Sequence, residues 1–185
     1  MHIRIQTQQV RRMEAEQKRD LVVAPLAEGA LILIASLAAW LLKQPLIFTS
    51  LGPTAYELIE TPHRRSARPY NVFVGHLIGV AAGFLALTIT NAWRVPAVST
   101  HKVQFPRIEA AVLSAALTVF GTLLARATQP AAISTTLLIS LGEMEQWRDI
   151  LVIMGAVVLM LLVGEPLRHW RQKQIPDETT ARKSG

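Results

Sequence analysis

The sequence predicts an all-α polytopic transmembrane helical bundle. It has four long spans plus two short intramembrane or re-entrant helical segments, in a weak internal duplication. Three observations carry this. Four long runs are almost free of charge. The charged residues, only 17% of the 185, crowd into the first 20 residues, the last 20 and a few short loops. The tryptophans Trp40, Trp93, Trp147 and Trp170 all fall at run ends, where membrane-interface anchors belong. An ordinary soluble domain carries about 25% charged residues, spread over its surface. The chain is 51% hydrophobic with a mean hydropathy of +0.32, which excludes a disordered chain. It holds no cysteine, which excludes a disulfide-stapled secreted domain.

Residues 1–20 are polar and read as a cytoplasmic tail, with Arg11, Arg12, Lys18 and Arg19 near the lipid surface. They are not a cleavable signal, because the apolar run behind them has the length of a full span. That run, 21–42, holds one charge, Glu28, and exceeds the roughly 20 helical residues that cross a bilayer core. Pro25, just before Glu28, is expected to open the local backbone. Glu28 itself reads either as a partner of His76 or Arg126, or a protonatable gate, or as a carboxyl snorkelling to the interface.

Residues 46–59 are apolar but too short for an ordinary span, and so are 129–142. Each carries a Pro-x-Ala unit, Pro53-Thr54-Ala55 and Pro130-Ala131-Ala132, and each lies between two long runs. Proline before good helix formers predicts a helix starting there, with Pro in its first position and Ser50 or Thr128 as the cap. A helix starting at depth turns free N–H groups and a positive dipole end inward. Irregular backbone survives there only against protein or a wet cavity. Thr49, Ser50, Thr54, Thr128, Gln129, Ser134, Thr135 and Thr136 supply neutral donors. Such a site suits a small, weakly hydrated anion or a small neutral solute. The competing reading is a pair of amphipathic turns lying on the membrane surface.

Between them, the basic, proline-rich loop 60–69 reads as a connector touching lipid headgroups. Attraction of anions to a pore mouth is its alternative. The second run, 72–92, carries Gly75, Gly79 and Gly83 at i, i+4, i+8, a face for close helix packing. His76 lies inside it. It is either a proton relay or substrate contact, or a neutral imidazole satisfied by a hydroxyl or carbonyl. The third run, 108–125, places Ala111 and Ala115, and Ser114 and Thr118, on further packing faces. Glu143 to Gln146 reads as an exterior loop. The fourth run, 150–164, is short and recruits Trp147 and Pro166-Leu167 as its ends. Residues 169–185 are a second polar cytoplasmic tail, expected to be disordered.

The positive-inside rule puts both termini in the cytoplasm. Counting cannot choose between four crossings, with 13 of the 19 Lys and Arg inside, and six, with 14 inside. Six would make the halves inverted repeats and four would make them parallel. The net charge of +6 flanks lipid-seeking runs rather than covering one face, so nucleic acid is not the expected partner. The five histidines form no ligand spacing, so no metal is expected. No phosphate loop, dinucleotide fingerprint or nucleophile elbow is present, and no cofactor or enzymatic activity is expected.

Arg68-Pro69-Tyr70-Asn71-Val72-Phe73-Val74-Gly75-His76-Leu77 resembles the P-R-N-V-x-G-G-H-L signature of the HPP family of integral membrane proteins. Leu51-Gly52-Pro53-Thr54-Ala55 looks like that family's first small-residue motif. Thr128-Gln129-Pro130-Ala131-Ala132 falls where the family carries His-Pro-Pro-Ala-Gly. The likeness covers roughly 21–167. It implies a small bundle of four transmembrane helices and a role in moving nitrite. Thr128 and Gln129 replace the histidine and first proline of the naming motif, and Ala132 replaces its glycine.

The resulting expectation is a transmembrane domain over 21–168, with repeats at about 21–92 and 108–167, in the cell inner membrane. Its partners are the lipid bilayer, a small anion substrate and further copies of itself packed on small-residue faces. The substrate-binding residues are Ser50, Gly52, Thr54, Asn71, His76, Thr128, Gln129 and Ser134, with Asn71 and His76 lining or gating the path. The alternatives are a non-transporting scaffold or accessory subunit, and a channel for a small neutral solute.

Overall fold

A computed structural model describes residues 2–44 and 48–175, with side chains from residue 18 onward. Six helices follow one another: α1 (His2–Leu42), α2 (Leu51–Glu60), α3 (Pro69–Thr90), α4 (Phe105–Leu124), α5 (Ala131–Ser140) and α6 (Trp147–Gln172). Single 3-10 turns precede and follow α3, and the described residues contain no strand. Lys18–Leu42, α3, α4 and α6 are 25, 22, 20 and 26 residues of apolar helix, each long enough to cross a bilayer. The chain is an integral membrane protein, and its outward faces are apolar, with Leu21, Leu33, Trp40, Phe120, Leu151 and Leu162 exposed.

The side-chain contacts assign each helix end to one of two ends of the bundle. At one end, Arg171 of α6 reaches Asp20 of α1 at 3.0 Å and the Ile59 carbonyl of α2 at 3.1 Å. Arg168 donates to the Pro62 carbonyl at 2.9 Å. The start of α3 and the end of α4 meet at this same end, where the Tyr70 hydroxyl donates to the Ala125 carbonyl at 3.1 Å. At the other end, Arg107 of α4 donates to the Val95 carbonyl at 2.6 Å, the Ser140 carbonyl at 3.3 Å and Glu145 at 2.9 Å. The chain therefore passes between the two ends six times. Four passages are continuous helices. The other two contain the short helices α2 and α5. The second half, α4–α5–α6, runs opposite in sense to the first, α1–α2–α3.

α3 is the innermost span: half of its apolar window is buried, against 17% of that of α1. Its glycines explain this. A β-carbon on Gly75 would sit 2.5 Å from Gln129 Cβ, one on Gly79 2.6 Å from the Ala132 carbonyl oxygen, and one on Gly83 2.9 Å from Ile139. The stripe is the bed on which α5 and its lead-in lie. On α4 the buried face is Ala110, Ser114, Thr118 and Thr122, whereas Ala111 and Ala115 are half-buried. Thr118 and Thr122 return their hydroxyls to carbonyls one turn back, at 2.8 Å each. This satisfies them without a partner helix.

The helix limits correct several expectations. α1 continues through Pro25 without a break. α6 continues through Pro166 to Gln172, so residues 169–172 belong to a helix rather than a tail. Arg168 and Arg171 anchor this last turn, offsetting the hydrogen bond that Pro166 cannot make. The expected disorder of 176–185 lies outside the described residues, as does the lead-in at 45–47. Pro53 and Pro130 do not occupy the first helical positions: Pro53 is the third residue of α2, and Pro130 is the N-cap of α5. Ser50 does stand at the N-cap of α2, but its backbone is helical (φ −79, ψ −12) and its side chain makes no capping bond. The cap function needs an extended residue there.

Candidate functional site

The middle of the bundle holds a closed ring of hydrogen bonds linking three helices. Ser50, Thr54, His76 and Thr135 all have no solvent exposure. The Thr54 hydroxyl donates to the Ser50 carbonyl at 2.9 Å. That uses its one proton, so Thr54 Oγ1 accepts from His76 Nε2, 3.0 Å away. The other ring nitrogen, Nδ1, lies 2.7 Å from Thr135 Oγ1. The Thr135 hydroxyl donates to Ser50 Oγ at 2.8 Å, which closes the circle. Among the described residues no carboxylate touches the ring. The His76 imidazole, held by hydroxyls on both sides, joins α2 and α5 to α3.

A second polar group lies nearer the Tyr70 end. The Asn71 amide donates to the Thr128 carbonyl at 3.1 Å, pinning the lead-in of α5 to the first turn of α3. This leaves Gln129 over Gly75, where the missing side chain makes its room. Gln129 is 3% exposed, yet neither its amide nitrogen nor its oxygen has a partner among the described residues. Beside it is the carboxyl of Glu57, 8% exposed, with Ser66 also alongside and Arg64 within electrostatic reach. Glu57 Oε2 is likewise without a hydrogen bond among the described residues. A buried polar atom without a partner costs about 1–3 kcal/mol. Three such atoms side by side mark a place suited to a polar occupant.

Ser66, beside Glu57, and Thr128, next to Gln129 in the chain, line a cleft of about 470 Å³ together with Arg64, Arg65, Asn71, Leu123 and Arg126. Three guanidinium groups, with Ser66, Asn71 and Thr128, give it positive potential and neutral donors. Arg126 reaches it from a left-handed residue, φ 52, at the turn after α4.

Of the residues expected from the sequence, Ser50, Thr54 and His76 come together in the ring. Asn71, Thr128 and Gln129 come together at the cleft. Ser134 is half-buried and joins neither group, because its neighbour Thr135, about 100° around the helix, takes the inward direction. Gly52 is half-buried on the first turn of α2, with no atom within 4 Å of where its β-carbon would be. Glu28 is within electrostatic reach of Glu60 and makes no ion pair with Arg126 among the described residues. Arg126 lies in the cleft, and both ring nitrogens of His76 are engaged by threonines.

Sequence reasoning did not pick out Glu57, although a signal was there. Ser50, Thr54 and Glu57 stand at i, i+4 and i+7, one stripe of a helix. It also passed over the buried arginines. Arg107 binds the last carbonyl of α5, and Arg171 the Ile59 carbonyl of α2, so each short helix has its C-terminal end held by a guanidinium. Among the described residues no three His, Cys, Asp or Glu side chains gather into a metal site.

The family model described as "HPP, transmembrane region" matches residues 14–176. No curated protein and no solved structure matches the chain.

Proposed function

The chain belongs to the HPP transmembrane family, and on that premise we propose that it carries a small inorganic anion across the membrane, with nitrite as the ion suggested by the resemblance. One observation carries the reading: the cleft of Arg64, Arg65 and Arg126 is lined by Asn71 and Thr128, and the next residue, Gln129, is buried with its amide unpartnered among the described residues. Guanidinium groups concentrate anions at an entrance. A neutral amide then takes over from water without trapping the ion as a fixed charge would. The replacement of the family's first proline by Gln129 supplies that amide.

Beyond Gln129 the Ser50–Thr54–His76–Thr135 ring is fully buried. The conformation is thus open at the arginine end and closed beyond it. Passage requires the short helices to move against the long spans, as broken helices do in inverted-repeat transporters. The arginine-rich end, with Arg64, Arg65, Arg68, Arg126, Arg168 and Arg171, faces the cytoplasm in this reading. Both termini lie on that side, and the membrane is the cell inner membrane.

The test is nitrite uptake into proteoliposomes of the purified protein, against empty vesicles. Wild type should show saturable uptake, and Gln129→Ala should lose most of it while its melting temperature in detergent stays close to that of wild type. Absence of wild-type uptake above empty vesicles, with nitrate, formate and chloride also inert, would overturn the reading.

A further inference from the structure

We propose that Glu57 is the proton-carrying group of this site, so that one proton binds at Glu57 together with one anion at Gln129. The inference rests on the transport reading and goes beyond it by naming the coupling ion and the residue that holds it.

The geometry is unusual for a carboxyl. Glu57 is buried on the inward stripe of α2, beside Ser66 and Gln129, and one of its oxygens has no hydrogen bond among the described residues. Among the described residues no ion pair reaches it, and most of the neighbouring charges are paired with one another. On α6, Arg171 pairs with Asp20 of α1 and approaches Glu60 at 3.7 Å, and Arg168 pairs with Glu165. Glu28 of α1 is within electrostatic reach of Glu60. Toward α3 and α5, Asn71, His76 and Gln129 are neutral. Arg64, from the loop that lines the cleft, is the cation within reach.

A buried carboxylate and an anion in one pocket repel each other strongly, since both charges are poorly solvated. When Glu57 is ionised, the amide of Gln129 and the hydroxyl of Ser66 are its natural donors, and an anion is shut out. When Glu57 takes a proton from the cleft, its O–H becomes a donor. The Gln129 N–H groups are released, and both can hold the anion. Anion and proton therefore bind together or not at all, a reciprocal coupling. The loaded site gains no net charge. Uptake is then electroneutral: sensitive to a pH gradient and insensitive to membrane potential.

Initial rates of isotopic nitrite uptake into proteoliposomes, with the nitrous-acid leak of empty vesicles subtracted, test this under an imposed pH gradient or potassium-diffusion potential. For wild type, lowering the outside pH by one unit should raise the rate several-fold, up to about tenfold, and the potential should leave it unchanged. Glu57→Gln is near-isosteric with the protonated acid. The nitrite uptake it supports should lose the response to pH and gain a response to the potential. A Glu57→Gln protein that retains the wild-type pH response overturns the proposal while leaving the transport reading intact. No uptake by wild type overturns both.

Infrared titration of the detergent-solubilised protein gives a readout independent of flux. A protonated-carboxyl band that is present in wild type, missing in Glu57→Gln and moved to higher titration pH by added nitrite supports the assignment. A spectrum unchanged by Glu57→Gln, or by nitrite, refutes it.

Discussion

Thr54 Oγ1 lies 3.0 Å from His76 Nε2, and this one contact ties the first short helix to the central span. With the Thr135 contact on the other ring nitrogen, the imidazole becomes the joint between the two halves of the chain. A ring of satisfied polar groups in a low-dielectric interior is stiff, and removing one member leaves the others unpaired.

His76→Ala should therefore lower stability by about 2–4 kcal/mol, combining a cavity with orphaned hydroxyls on Thr54 and Thr135. Thermal unfolding in detergent measures it. Thr135→Val should cost about 1–3 kcal/mol, while Ser134→Ala, outside the ring, should cost little. A stable His76→Ala that has lost uptake would show instead that the imidazole acts on the substrate directly.

Gly75→Ala and Gly52→Ala make a contrasting pair. The first pushes a methyl group to 2.5 Å from Gln129 Cβ; the second meets nothing within 4 Å. Gly75→Ala should destabilise by about 1–3 kcal/mol and displace Gln129, reducing uptake. Gly52→Ala should leave the melting temperature unchanged or slightly raised. Equal behaviour of the two would contradict the close approach of α3 and the α5 lead-in.

Arg107→Ala should be among the most damaging single changes outside the site, at about 3–5 kcal/mol. It strands Glu145 and three carbonyls, those of Val95, Pro96 and Ser140. Arg107→Lys should restore little, since one ammonium cannot span acceptors that a planar guanidinium reaches together. Gly142 belongs to the same arrangement: at φ 89, its β-carbon would fall 2.5 Å from the Arg107 guanidinium. Folded yield and melting temperature of Gly142→Ala should fall accordingly.

Neutralising the cleft should act on entry rather than on folding. Arg64→Gln with Arg126→Gln should lower initial nitrite uptake at low salt and flatten its dependence on ionic strength, since steering by surface charge is screened. The melting temperature should change little, because both side chains are exposed. Uptake with the same salt dependence as wild type would remove the cleft from the path.

The long spans were legible in the sequence because each needs only its own residues: a charge-free run of sufficient length and a tryptophan at its edge. The two short segments were legible for the same local reason, being apolar, proline-bearing and too short to cross as regular helices. Their polar residues were expected to lie inside, and Ser50, Thr54, His76 and Gln129 are buried.

Tertiary structure decided which of these residues meet. The ring joins positions 50, 54, 76 and 135, whose separation along the chain says nothing about their distance in space. Ser134 and Thr135 are equal candidates by composition, and only the packing of α5 on the glycine stripe turns one of them inward. The burial of Glu57, Arg107 and Arg171 was hidden because a charge in a short helix or loop reads as solvated until carbonyls or a neighbouring helix are known to cover it. Six passages rather than four likewise emerged from contacts: Arg171 on Ile59 at one end and Arg107 on Ser140 at the other. Hydropathy measures how much a segment prefers lipid. It does not record which end of the bundle a segment's last carbonyl reaches, and that depends on partners far away in the chain.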